Sequence, residues 1–128
     1  MQRDEVLTDR LQKHVERLGG DIGERNVFVP DALESAAQYI EDEWREQGYT
    51  VERLEYDVFG IRCANLTATR GGSARQTEIL LLGAHYDSVM GSPGANDNAS
   101  RSPRMNGLIC WSREHTGILA SASGCSAA

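Results

Sequence analysis

The chain has 128 residues, of which 40% are hydrophobic and 25% are charged, and this balance predicts one globular domain rather than a disordered chain. Its formal net charge is −6 and no stripe of basic residues runs along it, so neither nucleic acid nor an anionic membrane is expected as a partner. The N-terminal stretch MQRDEVLTDRLQKHVERL has no long apolar run, which predicts no signal peptide, no transmembrane segment and a cytoplasmic location. Three cysteines without CxxC spacing favour reduced thiols over a disulfide framework.

The first predicted helix ends at a glycine pair. Four apolar residues recur at helical spacing, namely Leu7, Leu11, Val15 and Leu18. Gly19 and Gly20 follow directly and are expected to stop the helix, and residues 21–29 are then expected to form a loop.

The second predicted helix begins near Pro30 or Asp31. Asp31 and Glu34 have the spacing of a capping box, and proline suits the first turn of a helix. One apolar stripe is predicted to pack in the core, and it consists of Leu33, Ala36, Ala37, Ile40 and Trp44. Gly48 lies where a left-handed C-terminal cap is expected.

Three strands are predicted after this helix. In the first, three apolar residues alternate with polar ones and predict one buried and one wet face, namely Leu54, Tyr56 and Val58. The second is predicted over residues 61–69, with a turn at 70–73. The run Ile79-Leu80-Leu81-Leu82 is typical of a strand covered on both faces. Helices together with an amphipathic and a buried strand predict an α/β domain with a mixed sheet.

One histidine and two aspartates follow the buried strand, in the stretch GAHYDSVMGSPGANDNAS. Ligands collect at the ends of buried strands in open α/β sheets, and His85 lies at such an end. In extended backbone His85 and Asp87 point to the same side, so the carboxylate can hold the imidazole in one tautomer, as it does for metal-binding histidines. The glycines and proline of residues 91–94 allow the loop to return Asp97 to this neighbourhood.

The spacing of these residues leaves two other interpretations open. His85 can be a structural loop histidine whose ring is satisfied by local hydrogen bonds. Ser88 beside a histidine and an aspartate also suggests a Ser-His-Asp arrangement, although the order and the close spacing match no nucleophile elbow.

The longer pattern resembles the di-zinc aminopeptidase family, the zinc exopeptidases related to leucyl aminopeptidases, glutamate carboxypeptidase and glutaminyl cyclase. It comprises a buried strand, His-x-Asp-Ser, a loop with glycine and proline, and then Asp-Asn-Ala-Ser. The resemblance covers about residues 5–100 and is strong over 79–100. It implies the N-terminal part of a truncated mixed β-sheet sandwich with flanking helices.

The resemblance also implies roles for three residues and a cofactor. His85 would ligate one zinc ion, Asp97 would bridge two, and Asp87 would orient His85. The peptide bond between Asp97 and Asn98 would be cis, as is common in the family. Two zinc ions would activate a water molecule, a glutamate would act as the general base, and the substrate would be a peptide.

Residues 101–128 do not match the family's pattern, and a shift of the reading frame near codon 100 would explain the change of composition. We therefore expect residues 1–100 to form the N-terminal portion of a zinc peptidase domain and 101–128 to form a disordered tail. The only acidic and histidine residues of this tail, Glu114 and His115, are adjacent and are not expected to replace the missing ligands.

The resulting functional hypothesis is a zinc-dependent exopeptidase that releases N-terminal amino acids from peptides. Because the general base and the remaining zinc ligands are not matched, this chain itself is expected to be incomplete and inactive. The alternative is a non-catalytic fragment, or a partially folded binding module, without a functional metal site.

Overall fold

The described part of the chain, in a computed structural model, consists of residues 2–71, 80–96 and 117–123. It has two α-helices, α1 (Gln2–Val15) and α2 (Pro30–Glu46), and a π-helical segment, Glu16–Ile22, that continues α1. Four strands follow, namely β1 (Thr50–Val58), β2 (Ile61–Gly71), β3 (Leu80–His85) and β4 (Gly117–Ser123). This arrangement confirms the predicted α/β domain with a mixed sheet. No helix in these ranges is long and apolar enough to cross a lipid bilayer.

The glycine pair does not end the first helical segment. Gly19 and Gly20 lie inside the π-helical segment, and the chain leaves it at Gly23, whose φ is +74°. A Cβ on Gly19 would lie 2.6 Å from the Cβ of Ala95, so this glycine permits the segment to touch the loop that follows β3. The predicted stop was therefore wrong because Gly19 serves close packing rather than helix termination.

Helix α2 begins without the predicted capping box. Its N-cap is Val29, which makes no side-chain cap hydrogen bond, and Pro30 occupies the first turn as expected. Glu34 instead forms an ion pair with Arg53 of β1. The capping interaction is thus replaced by a contact to the sheet, which spacing within the helix cannot reveal.

The core stripe and the C-terminal cap of α2 follow the prediction. The whole stripe is buried at 2% exposure or less, and it consists of Leu33, Ala36, Ala37, Ile40 and Trp44. Gly48 has a φ of +84°, and its N–H donates to the carbonyl of Arg45, while the N–H of Tyr49 donates to that of Trp44. These two bonds form a Schellman motif, which satisfies carbonyls that the helix end would otherwise leave unpaired.

The four strands are ordered β1-β2-β4-β3. The β1–β2 and β2–β4 pairs are antiparallel and the β3–β4 pair is parallel. β2 runs to Gly71, beyond the predicted end at residue 69, because Arg70 and Gly71 pair with β4. Residues 117–123 were expected to be disordered, and their pairing with both β2 and β3 gives them strand structure instead.

One residue of β1 does not follow the predicted alternation. Arg53 forms ion pairs with Glu34 and Glu41 of α2, so this side of the strand faces the helix. Leu54 lies in this edge strand and is 66% exposed, so it does not share the partial burial of the alternating apolar residues that follow it. Tyr56 and Val58 are partly buried against the core, as predicted.

Cys63 of β2 is disulfide-bonded. This differs from the expected reduced thiols. That expectation rested on spacing along the sequence, whereas a disulfide requires only that two Cβ atoms meet in space, which strand pairing can achieve for distant residues.

Candidate metal-binding site

His85 and Asp87 come together at the C-terminal end of β3. The Nδ1 atom of His85 lies 2.9 Å from Oδ1 of Asp87 and 3.2 Å from its backbone oxygen. Because both of these oxygens are acceptors, Nδ1 carries the proton, and an imidazole held in this way offers Nε2 to a metal. Both side chains retain solvent contact, with 30% exposure for His85 and 14% for Asp87.

The two residues that alternate with this pair point into the protein. Tyr86 is 1% exposed and its hydroxyl donates to the carbonyl of Ala64 of β2, 2.7 Å away. Burial raises the pKa of Tyr86 above its ordinary value, so the hydroxyl remains a donor. Ser88 is 4% exposed, and its Oγ accepts the backbone N–H of Arg25 at 3.0 Å. The inward residues hold the backbone from which His85 and Asp87 project.

The contacts of Ser88 do not favour the Ser-His-Asp interpretation. Its Oγ accepts the backbone N–H of Arg25. Its Cβ packs closely against Gly94, since a Cβ built on this glycine would lie only 2.8 Å from the Cβ of Ser88. A nucleophilic serine needs an exposed oxygen within reach of a histidine, and the alternation of side chains directs Ser88 away from His85.

Two residues that sequence reasoning missed hold the loop after β3. Arg25 is fully buried and donates to carbonyls of this loop, and Glu24 accepts the N–H of Gly91 at 2.9 Å. Both lie in the segment that the sequence predicted only as loop. No periodicity marks them, since their partners lie more than 60 residues further along the chain.

The described residues provide one candidate metal ligand with its supporting carboxylate. Asp97, predicted to bridge two ions, and the Asp97–Asn98 peptide bond lie outside the described residues. Within the described ranges, no group of three histidine, cysteine, aspartate or glutamate side chains could hold a metal ion. The donor chemistry of the His85–Asp87 pair fits zinc, which is commonly bound by histidines that carboxylates orient.

A groove elsewhere on the described surface does not include this pair. It has a volume of about 410 Å³ and lies between the start of α2 and the β1–β2 hairpin, lined by Pro30, Glu34, Arg53, Glu55, Gly60, Ile61 and Arg62. Its walls carry ion-paired charges, and we assign it no role at the metal-binding site.

Comparison with known proteins points in the same direction as the motif. Residues 65–105 match the model of peptidase family M28, and this match includes His85, Asp87 and Asp97. No curated protein sequence matches the chain significantly.

Three solved structures share the fold at low sequence identity. Glutaminyl cyclase of Fimbriiglobus ruber superimposes with a TM-score of 0.65 at 20% identity, over 89% of this chain and 44% of its own. The Porphyromonas gingivalis enzyme gives 0.60 at 17%, over 88% and 42%, and the Acidobacteriales bacterium enzyme gives 0.61 at 15%, over 88% and 42%. The chain thus spans less than half the length of these structures. Residues 65–105 are thus similar to peptidase family M28, as the sequence resemblance predicted, and the chain shares the fold of these three structures.

Proposed function

We propose that this chain carries part of the metal centre of a zinc-dependent exopeptidase that removes N-terminal amino acids from peptides. In this proposal His85 would be a ligand of one zinc ion, Asp97 would be shared by two, and Asp87 would orient His85. The 2.9 Å contact between His85 and Asp87 at the end of β3, inside the segment that matches a peptidase family, carries this proposal.

The residues of the chain prepare the site for such chemistry. Asp87 accepts a hydrogen bond from the Nδ1–H group of His85 and thereby fixes the tautomer and the ring orientation of this imidazole. Tyr86 and Ser88 hold the intervening backbone, so the imidazole is presented at a defined position. Zinc, when bound, would polarise the substrate carbonyl and lower the pKa of water.

A second candidate activity is the cyclisation of N-terminal glutamine. The fold likeness to three glutaminyl cyclases, with TM-scores of 0.60 to 0.65, favours it. Peptide hydrolysis ranks first because the segment that contains the proposed ligands matches a peptidase family. The products differ, since hydrolysis releases an amino acid and cyclisation releases ammonia.

The 128-residue chain is expected to hold an incomplete centre. After Asp97 it offers one acidic residue, Glu114, and one histidine, His115, whereas the family resemblance implies several more zinc ligands and a glutamate base. We therefore expect weak zinc binding and no hydrolytic activity from this chain alone.

Calorimetric titration with zinc tests the ligand assignment. Weak binding to the wild-type chain should be lost in His85→Ala and Asp97→Ala. It should persist in Asp42→Ala, which removes an exposed carboxylate from α2. Binding that survives both ligand substitutions would refute the assignment, and no binding at all would favour the alternative of a module without a metal site.

An activity assay tests the expected incompleteness. Pure chain supplied with zinc should release no nitroaniline from an aminoacyl-nitroanilide and no ammonia from an N-terminal glutaminyl peptide. Chelator-sensitive turnover of either substrate would show that the centre is complete and would name the reaction.

A further inference from the structure

Arg25 is fully buried, and its guanidinium group is enclosed by backbone carbonyls. Nε donates to the carbonyl of Tyr86 at 2.5 Å, and Nη2 donates to that of Gly94 at 3.4 Å. Nη1 lies within hydrogen-bond distance of three carbonyls, those of Pro93 at 2.6 Å, Gly23 at 3.0 Å and Leu18 at 3.1 Å. Three of these carbonyls belong to the loop after β3, and two belong to the N-terminal helical segment and its end. The Arg25 side chain therefore joins the N-terminal helical segment to the loop after β3.

The backbone of Arg25 holds the same loop from a second direction. Its carbonyl accepts the N–H of Ser88 at 2.8 Å, and its N–H donates to Oγ of Ser88 at 3.0 Å. Tyr86 and Ser88, the two neighbours of Asp87 in sequence, are thus both bonded to Arg25. The backbone on both sides of Asp87 is therefore held by Arg25, while the Asp87 side chain points away from Arg25 and contacts His85.

The loop also closes tightly over the guanidinium group. Gly94 has a φ of +61°, and a Cβ at this position would lie 3.3 Å from Nη2 of Arg25 and 2.8 Å from Cβ of Ser88. A buried charge is costly unless its hydrogen-bonding capacity is met, and a buried carbonyl without a donor is costly as well. The guanidinium and the loop carbonyls therefore satisfy each other, and a shorter or apolar side chain would leave several of these carbonyls unpaired.

We infer that Arg25 is a positioning residue of the proposed zinc site, which acts by holding residues 86–94 so that Asp87 keeps the His85 imidazole in its Nδ1-protonated form. The inference deepens the proposed function and rests on it for the consequence at zinc. Its structural part, the effect of Arg25 on the His85–Asp87 pair, does not depend on a metal.

The test measures the tautomer of His85 in the metal-free chain at mildly alkaline pH, from the nitrogen chemical shifts of its ring, with the resonance assigned through His85→Gln. The wild-type ring should be mainly protonated at Nδ1. Arg25→Met should shift the population toward Nε2 protonation, as Asp87→Ala should, and Arg25→Lys should give a smaller shift because it restores charge and some of the hydrogen bonds. Zinc affinity of the Arg25 variants should fall about tenfold, at the lower end of the loss typical for residues behind a metal ligand.

Two controls separate positioning from general destabilisation. Arg17→Met removes an exposed arginine from the π-helical segment whose end Arg25 contacts, and Ile40→Val loosens the core at α2. Both should leave the tautomer unchanged. If Arg25→Met does not fold, Arg25→Lys carries the test alone.

The outcomes distinguish this inference from the proposed function. An unchanged His85 tautomer in folded Arg25 variants would overturn the positioning role, whatever the zinc affinity. A tautomer that shifts in a chain whose wild type binds no zinc would support the role of Arg25 and refute the proposed metal site.

Discussion

Four consecutive residues at the end of β3 divide into two pairs with different tasks. His85 and Asp87 face outward and form the candidate site, while Tyr86 and Ser88 face inward and hold the backbone. The period of two along an extended chain predicts the first pair from sequence alone. It cannot predict that Ser88 meets Arg25, because that contact joins residues 63 positions apart.

Glu24 makes the contribution of the loop after β3 to folding stability depend on pH. The N–H of Gly91 and, to a lesser degree, the side-chain amide of Asn26 donate to its carboxylate and hold the pKa of Glu24 below its ordinary value. A carboxyl group with a lowered pKa in the folded state stabilises the protein above its ordinary pKa of 4.5, and this contribution is lost as the pH falls through the lowered value.

We expect Glu24→Gln to be less stable than the wild type at neutral pH and to approach it as the pH falls below 4.5, because glutamine keeps an acceptor oxygen but cannot ionise. Urea denaturation at neutral and acidic pH measures this difference. Glu52→Gln, at an exposed position of β1, controls for the removal of one negative charge. Parallel pH profiles of the wild type and Glu24→Gln would contradict the expectation.

At the scale of secondary structure, the π-helical segment and the loop after β3 pack through a glycine. Gly19 touches Ala95 so closely that a Cβ would overlap it, whereas Gly20 next to it has open space around its missing side chain. Neither residue has a left-handed φ, so the two positions differ in packing rather than in backbone strain. Alanine substitutions at these two adjacent glycines therefore form a matched pair of variants.

Gly19→Ala should destabilise the chain by about 1–3 kcal/mol, the usual cost of overpacking, because the backbone around Ala95 must move. Gly20→Ala should be neutral or stabilise by up to about 1 kcal/mol, because alanine lowers the entropy of the unfolded chain. The urea concentrations at the unfolding midpoints of the two variants measure this difference in stability. Equal midpoints would show that the loop does not rest on this segment.

The elements that sequence predicts well are those whose pattern is local. The apolar stripe and the Gly48 cap of α2 are set by neighbours within a few turns, and both are present as predicted. The burial of Leu54 was predicted wrongly because this residue lies in the edge strand of the sheet and remains exposed. The capping box of α2 was predicted wrongly because Glu34 forms an ion pair with Arg53 of β1. The same limit applies to the site, where the histidine and its carboxylate were recognisable and the buried arginine behind them was not.

At the scale of the whole molecule, Cys63 brings a disulfide into the sheet. It lies in β2, is 2% exposed and is disulfide-bonded. A bond of this kind narrows the range of unfolded conformations, and disulfides usually contribute about 2–4 kcal/mol to stability.

The chain, produced under oxidising conditions and unfolded without reductant, should therefore expose one of its three thiols to alkylation. Reduction should lower the free energy of unfolding by about 2–4 kcal/mol. Cys63→Ser should have the same stability with and without reductant. Three reactive thiols in the unreduced chain would contradict the disulfide.

The order of the strands in the sheet has a consequence for synthesis. β3 is hydrogen-bonded to β4, which is encoded roughly 30 residues later, so the histidine strand emerges from the ribosome before its partner does. At roughly 5–20 residues per second, translation leaves this apolar strand unpaired for about 2–6 seconds. During that interval its open edge can pair with a strand of another nascent chain, and the yield of folded protein then depends on the speed of elongation.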